Sequence, residues 1–182
     1  MTGTLVQIGE VKGDFNSAES PESKVDSIIN DIISKISQVD VTIDITDRSF
    51  PSKVAKKIEY NQLKENRKIV LQYKSYSSHI ESAYNIVEKN VVNGKQTAML
   101  ILNGMYGSAL SKFNIDDWEP DMDEVKKHAD EIINDVKKQL SNFLYKSSNI
   151  NFTKEQMSVG INIVIAHAFV ECYVLENPND TD

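Results

Sequence analysis

The chain has 182 residues, of which 40% are hydrophobic and 26% are charged, and its formal net charge is −7 at pH 7. One domain is the default organisation for this length, and the composition is that of an ordinary globular protein. The acidic balance argues against a general nucleic-acid binder and against a protein that adheres to anionic membranes. A single cysteine excludes an internal disulfide bond and a cysteine-rich zinc site.

The first 50 residues predict a small α/β appendage. Residues 5–11 (LVQIGEV) favour a short strand. Residues 20–38 predict an amphipathic helix, with Pro21 at its first position and apolar residues recurring every three or four positions. Residues 41–46 (VTIDIT) alternate between apolar and polar side chains, which is typical of a half-buried strand.

Residues 51–182 predict a mainly α domain. A short helix begins at Pro51 and extends to Tyr60, and four long helices with apolar spacings of three and four follow it. Asn93-Gly94 separates the first two long helices, Asp121 and Thr153 cap the last two, and Pro178 ends the last. Short loops favour antiparallel neighbours, so we expect an antiparallel bundle of four long helices.

Two features bear on the location of the protein. The N-terminus lacks a basic segment followed by an apolar one, so no secretory signal is predicted. The most apolar run, Val159 to Leu175, contains Glu171, and a carboxylate at a helix centre costs roughly 2.5–3.5 kcal/mol on membrane-insertion scales. A buried core helix and a reducing cytoplasm are therefore expected, with no membrane association.

His167 and Glu171 are spaced four residues apart on the last predicted helix, with Cys172 beside them. This spacing places the first two on one helix face, where they could hold part of a metal site. The HExxH pattern is absent and no third ligand is evident. We favour a buried polar pair in which the carboxylate binds the imidazole, and we expect no metal and no cofactor.

Other candidate motifs have simpler explanations. Polar residues flank His79 and His128, which predicts surface positions for both. Gly104, Gly107 and Ser108 lie in a helical pattern, where small residues permit close helix packing, and no strand precedes them as a nucleophile elbow requires. GxxxxGK[ST] and GxGxxG are both absent, so nucleotide binding has no support.

Charge is distributed unevenly along the chain. Residues 1–50 contain 4 basic and 9 acidic groups, residues 51–94 contain 8 and 4, and residues 95–182 contain 8 and 14. The basic middle could bind an acidic partner surface or phosphates, or it could be a solvated face balanced by the helix that starts at Asp121. The candidate partner-contact residues are Lys53, Lys56, Lys57, Tyr60, Lys64, Arg67 and Lys68.

Two phrases carry a resemblance to a known family. PSKVAKKIEYNQL (residues 51–63) and INIVIAHAFVECYVLENPND (residues 161–180) resemble the C-terminal domain of effectors in ABC-three-component conflict systems, the group that includes Lamassu-type anti-phage defence. The resemblance covers about residues 50–180 and rests on packing motifs. It implies an α-helical docking domain that tethers an effector, often a nuclease, to an SMC-like ABC ATPase and a small middle component. It implies no catalytic residue.

These observations lead to one main hypothesis and two alternatives. The main hypothesis is a non-enzymatic docking or oligomerisation module of a bacterial defence complex, with residues 1–50 as appendage and residues 51–182 as helical docking domain. The alternatives are a small metal-dependent effector centred on His167 and Glu171, and an immunity-type inhibitor whose acidic surface masks a basic toxin. A homo-oligomer is possible, and direct nucleic-acid contact is not expected.

Overall fold

A computed structural model describes residues 26–38 and 52–178, and this part of the chain is mainly helical. Within these two ranges there is no β-strand; the strands predicted over residues 5–11 and 41–46 lie outside them. The helices are α1 (Ile28–Ser37), α2 (Ser52–Tyr60), α3 (Arg67–Glu88), α4 (Gly94–Lys112), α5 (Met122–Tyr145) and α6 (Lys154–Val170).

The two helix starts predicted from the caps Asp121 and Thr153 are confirmed. The side chain of Asp121 accepts a hydrogen bond from the N–H of Asp123 at the start of α5. Thr153 and Gln156 form a reciprocal capping box at the start of α6. Each cap binds N–H groups that have no partner inside the helix. Because this contact is local, the sequence alone is enough to predict it. The extent predicted for the first helix, residues 20–38, is wrong, because Asp26 and Ser27 are not helical and α1 begins at Ile28 with Ser27 as its N-cap.

The core lies between α3 and α6, and the other helices complete it. α6 is apolar around most of its circumference and is buried on most sides, as predicted from its composition. The predicted seam of α3 faces this core, with Ile80, Ala83 and Val87 almost fully enclosed. Within the described ranges, no helix combines the length and the apolar character that crossing a membrane requires.

α1 belongs to the same core as the residues after position 51. Four of its five isoleucines, Ile29, Ile32, Ile33 and Ile36, are at most 2% exposed and pack with α3 and α6. Gly160 permits the close approach of α6 to α1, because a Cβ at this position would lie only 2.5 Å from Ile33 Cγ2. The helix assigned to residues 1–50 therefore shares its core with the helical domain.

α6 ends at Val170, eight residues before Pro178, so the predicted end of this helix is wrong. The chain turns at Cys172, whose φ is 63°, and the Tyr173 N–H donates to the carbonyl of Ala168 at 2.8 Å. This is a Schellman motif, which usually has glycine at the left-handed position. Because cysteine occupies that position, the sequence carried no signal for the turn.

The same motif ends two other helices. Gln62 (φ 52°) lies two residues after the end of α2, and Asn114 (φ 58°) lies two residues after the end of α4. In each case the next residue donates its N–H to the carbonyl of the residue five positions before it. Three helix ends therefore place a residue other than glycine in the left-handed region. The turn after α2 positions the candidate site described next.

Candidate functional site

The sequence-predicted site residues fall into two separate regions. One is a buried cluster around His167, which also contains Tyr73, Tyr84, Glu81 and Lys95 and which we call the His167 cluster. The other is an exposed cationic region on α2 and the start of α3. The first region is centred on His167, which is enclosed in the core, whereas the second is exposed to solvent and cationic.

His167 lies between two tyrosine rings and is fully enclosed. Its Nδ1 is 3.0 Å from the hydroxyl of Tyr73, and its ring centroid is 5.1 Å from that of Tyr84. A neutral imidazole that accepts the Tyr73 proton at Nδ1 carries its own proton on Nε2. That nitrogen faces Glu81 Oε1 at 3.7 Å, and it has no hydrogen-bond partner among the described residues.

The predicted pairing of His167 with Glu171 is wrong, and Glu81 is the carboxylate nearest the imidazole. Glu171 is the C-cap of α6 and its side chain is 41% exposed, so it is not half of a buried pair. Its carboxylate lies 3.9 Å from the ammonium of Lys95, which also binds Glu81 at 3.0 Å. α6 ends before the side chain at position 171 can face inward, so helical spacing misidentified the partner.

Burial controls the proton affinities of the His167 cluster. It lowers the pKa of His167 to about 4, and the positive charge of Lys95 acts in the same direction while Glu81 opposes it. Burial, followed by the negative charge of Glu81, raises the pKa of Tyr73 to about 12 and raises that of Tyr84 as well. At pH 7 the imidazole is therefore neutral and both tyrosines keep their protons.

The predicted metal half-site does not converge. His167 is enclosed, whereas Glu171 and Cys172 are both exposed. Across residues 26–38 and 52–178, no group of three or more histidine, cysteine, aspartate or glutamate side chains is arranged to hold a metal ion. The structure therefore gives the metal-dependent alternative no geometric support.

The exposed cationic region contains most of the predicted partner-contact residues. We call it the α2–α3 basic surface, and it consists of Lys53, Lys56, Lys64, Arg67 and Lys68. Tyr60 is half-buried beside it, with the ammonium of Lys126 in α5 lying 5.2 Å from its ring centroid. The cation of Lys126 therefore extends the positive region onto α5.

Lys57 does not belong to this surface, which corrects its prediction as a partner contact. It is only 3% exposed, and its ammonium lies 4.7 Å from the ring centroid of Phe169 in α6. In α2 it follows Val54 by three residues and precedes Asn61 by four, so helical geometry places it on the inward face. Its role is to hold α2 against α6.

Asp130 of α5 fixes the turn that presents the basic surface. Its carboxylate accepts hydrogen bonds from the N–H groups of Lys64, Glu65 and Asn66, at 2.9, 3.1 and 2.8 Å. Burial alone would raise the pKa of this carboxyl, but these hydrogen bonds outweigh it and lower the pKa. The backbone before α3 is therefore held against α5, and Arg67 follows directly.

Asn61 fixes the other side of the same turn. This fully buried residue donates from Nδ2 to the carbonyl of Glu176 at 2.8 Å and accepts the Glu176 N–H at 3.1 Å. The carboxylate of Glu176 in turn accepts the Tyr106 hydroxyl at 2.7 Å, so α4 takes part as well. The two sequence phrases that carry the family resemblance are thus in direct contact.

Sequence reasoning missed Asp130, Glu81 and Lys95 as organising residues. Asp130 and Glu81 lie on helices with several other charged residues, and Lys95 lies near the start of an otherwise mostly apolar helix, so only tertiary packing reveals their partners. Asn61 lies within a quoted motif and follows α2 directly, four residues after Lys57 on the same inward-facing side. An amide at such a position is a sequence signal for a buried hydrogen-bonding residue.

The remaining motif residues are accounted for by helix packing or exposure. His128 stacks on Phe113 at 4.6 Å between centroids, and His79 contacts Tyr76 edge-on at 6.5 Å. Gly104 and Gly107 lie inside α4 as predicted. A Cβ at Gly107 would lie 3.1 Å from the carboxylate of Asp117, whereas a Cβ at Gly104 would have no atom within 4 Å. The lack of a side chain therefore matters for packing at Gly107 and not at Gly104.

Comparison with known proteins identifies no relative. No protein-family model, no curated protein and no solved structure matches this chain.

Proposed function

We propose that this chain is a non-enzymatic docking module of the cytoplasm that joins subunits of a bacterial anti-phage defence complex. Its partners are an effector subunit, an SMC-like ABC ATPase and a middle component, as the family resemblance implies. The observation that carries the proposal is the α2–α3 basic surface, a set of five exposed cations on α2, α3 and the turn between them, which Asp130 and Asn61 fix. Preorganised charge of this kind favours binding and fast association.

The proposal includes a finer architecture, in which α3 to α6 form an antiparallel bundle and residues 1–50 contribute an α/β appendage. Two side-chain contacts support opposed directions for α4 and α5. Lys112 near the end of α4 binds Asp135, whereas Gln139, one turn later in α5, donates to the carbonyl of Met105, two turns earlier in α4. Short connections between the long helices point the same way.

The distribution of chemical groups favours binding over catalysis. The residues with the most strongly shifted proton affinities, His167, Tyr84 and Tyr106, are at most 6% exposed. A substrate would have to enter the core to meet His167 or Tyr84, whereas Tyr106 lines a surface cavity of about 350 Å³ and donates its hydroxyl to Glu176 there. The exposed groups are instead lysines, an arginine and carboxylates, which suit an interface.

A protein partner fits the basic surface better than nucleic acid. α5 carries Lys126 to the edge of this surface, but the same helix begins with Asp123 and Glu124 and follows an acidic loop. Those carboxylates would repel a phosphate backbone that extended past the lysines. A partner with a short acidic segment avoids this repulsion.

Affinity purification of the full chain together with the products of its neighbouring genes tests the proposal. We expect an ABC ATPase to be retained and to be lost on Lys64→Glu/Arg67→Glu. Arg67 is the first residue of α3, where a carboxylate is favoured by the helix dipole, so this variant should fold. Lys138→Glu/Lys154→Glu reverses the same amount of exposed charge elsewhere and should retain the partner. Failure to retain an ATPase, or equal loss in both variants, would contradict the proposal.

A further inference from the structure

We propose that the α2–α3 basic surface binds the acidic loop of a second copy of this chain, with Trp118 as the anchor. The acidic loop is the connection between α4 and α5 from Asp116 to Asp121, extended by the first turn of α5. The inference rests on the proposed function in using the same surface, but it names a second copy of this chain as the occupant, which would compete with the ATPase for Lys64 and Arg67.

Trp118 is the only tryptophan of the chain, and it is 89% exposed. An aromatic side chain of this size typically buries 150–250 Å² in an interface, and tryptophan is enriched among the residues that dominate binding energy. The surrounding residues 116–124 contain six carboxylates and no basic residue. The loop therefore presents one large apolar group within a field of negative charge.

The acidic loop is held in one conformation before any partner binds. The carboxylate of Asp116 accepts the N–H groups of Trp118 and Glu119 at 2.8 and 2.9 Å. The side chain of Asp117 packs against Gly107 of α4, and Asp121 caps α5. Little backbone entropy of the loop remains to be lost on docking, and the side chain of Trp118 is the part that docking would order.

A complementary groove of about 370 Å³ lies within the α2–α3 basic surface. Its lining contains the apolar side chains of Ala55, Ile58 and Leu63, the cations of Lys64 and Arg67, and the polar residues Glu59 and Gln62. An indole ring with carboxylates on both sides matches the apolar residues and the two cations, whose charge outweighs that of Glu59. The chain thus carries both halves of one contact.

The two halves lie at the same end of the molecule, which permits a closed pair. Lys126, which contacts Tyr60 of α2, lies five residues after Asp121, so the two are about 7.5 Å apart along the axis of α5. Asp130, which binds the turn before α3, is about 14 Å from Asp121 along the same axis. When acidic and basic patches adjoin, a two-fold axis brings each loop to the partner's groove, so both contacts form at once.

Light scattering after gel filtration and intrinsic fluorescence test this association directly, since Trp118 is the only indole. With rising concentration at low salt we expect the mass to approach twice 20.5 kDa and the emission to shift to the blue as the ring is buried. Both changes should weaken in high salt, because exposed ion pairs are screened. Trp118→Ala should remain monomeric, with a circular dichroism spectrum like that of the parent chain.

Charge reversal provides the decisive control. Asp117→Lys/Glu119→Lys/Asp123→Lys/Glu124→Lys keeps Asp116 and the cap Asp121 and makes the loop cationic, because four lysines then outnumber the two remaining carboxylates. Lys64→Glu/Arg67→Glu makes the groove anionic, so each variant alone should be monomeric. Mixing the two should restore a dimer, because each loop then meets a groove of opposite charge. A chain that is monomeric at every concentration, a dimer that Trp118→Ala leaves intact, or a mixture that stays monomeric would overturn the inference. A monomer that still captures the ATPase through Lys64 and Arg67 would refute the inference alone, whereas a dimer that captures none would refute only the proposed function.

Discussion

The side chain of Asn61 pairs with the backbone of Glu176 through two hydrogen bonds, although the residues are 115 positions apart. Nδ2 also donates to the carbonyl of Lys57 at 2.9 Å, so the amide bridges α2 and the segment that follows α6. The two hydrogen bonds between Asn61 and Glu176 connect the segments in the way that backbone hydrogen bonds connect two strands, although neither segment is a strand. They thereby join the turn that presents the basic surface to the end of the core helix.

Replacing Asn61 by alanine should lower the free energy of unfolding by about 2–3 kcal/mol, since it leaves the peptide groups of Glu176 without their partners in a buried site. Urea denaturation at pH 7 measures this loss. Asn103→Ala is the matched control, because its exposed amide makes one hydrogen bond, to the Tyr173 carbonyl at 3.1 Å. It should cost less than about 1 kcal/mol. Equal losses in the two variants would show that burial of the amide is unimportant.

Local signals in the sequence predicted the helices well, whereas side-chain partners required the tertiary structure. The caps at Asp121 and Thr153 were predictable because a capping side chain acts within three residues. The turn at Cys172 was not predictable, because this position adopts a left-handed φ without the glycine that usually indicates one in a sequence. The charge of Lys57 alone predicts a surface position, whereas its helical spacing from Val54 places it on the inward face of α2, where the structure has it.

The turn at Cys172 itself leads to a prediction. Its φ of 63° costs an L-residue roughly 1–2 kcal/mol, and glycine avoids this cost while adding some unfolded-state entropy. Cys172→Gly should therefore raise the free energy of unfolding by about 0.5–1 kcal/mol in urea titrations. Cys172→Ala removes the exposed thiol but retains Cβ, so it should give no gain. A similar gain in both variants would attribute the effect to the thiol instead of the backbone.

The buried His167 should make the fold sensitive to acid. Its folded-state pKa of about 4 lies below the ordinary value of 6.5, so the unfolded chain binds more protons between these values. The stabilisation is complete above pH 6.5 and is lost as the pH falls toward 4. Between pH 7 and pH 5 this single group should contribute a loss of about 2 kcal/mol.

Urea denaturation of His167→Gln at a series of pH values tests this assignment. The variant should be less stable at pH 7, since it loses the Tyr73 hydrogen bond and aromatic packing. Its stability should nevertheless fall less steeply between pH 7 and pH 5 than that of the parent chain. His79→Gln removes a histidine that is not enclosed and should leave the slope unchanged. A parental slope in His167→Gln would assign the acid sensitivity to other groups.

Gly160 provides the sharpest test of whether α1 belongs to the core. An alanine Cβ there would lie 2.5 Å from Ile33 Cγ2 and 2.9 Å from its Cγ1, and Ile33 is fully enclosed. Overpacking of this kind costs about 1–3 kcal/mol, more than the roughly 1 kcal/mol that alanine gains over glycine in a helix. Gly160→Ala should therefore lower the free energy of unfolding, whereas Gly104→Ala, which meets no atom within 4 Å, should raise it.

The double variant Gly160→Ala/Ile33→Ala isolates the contact from other effects of either change. Removing the γ carbons of Ile33 creates space for the new methyl group, so the double variant should be more stable than the sum of the two single losses predicts, by about 1 kcal/mol or more. Additive losses would mean that the two residues do not touch and that α1 packs elsewhere. A positive coupling would show that the helix preceding residue 50 and the last helix of the domain fold as one core.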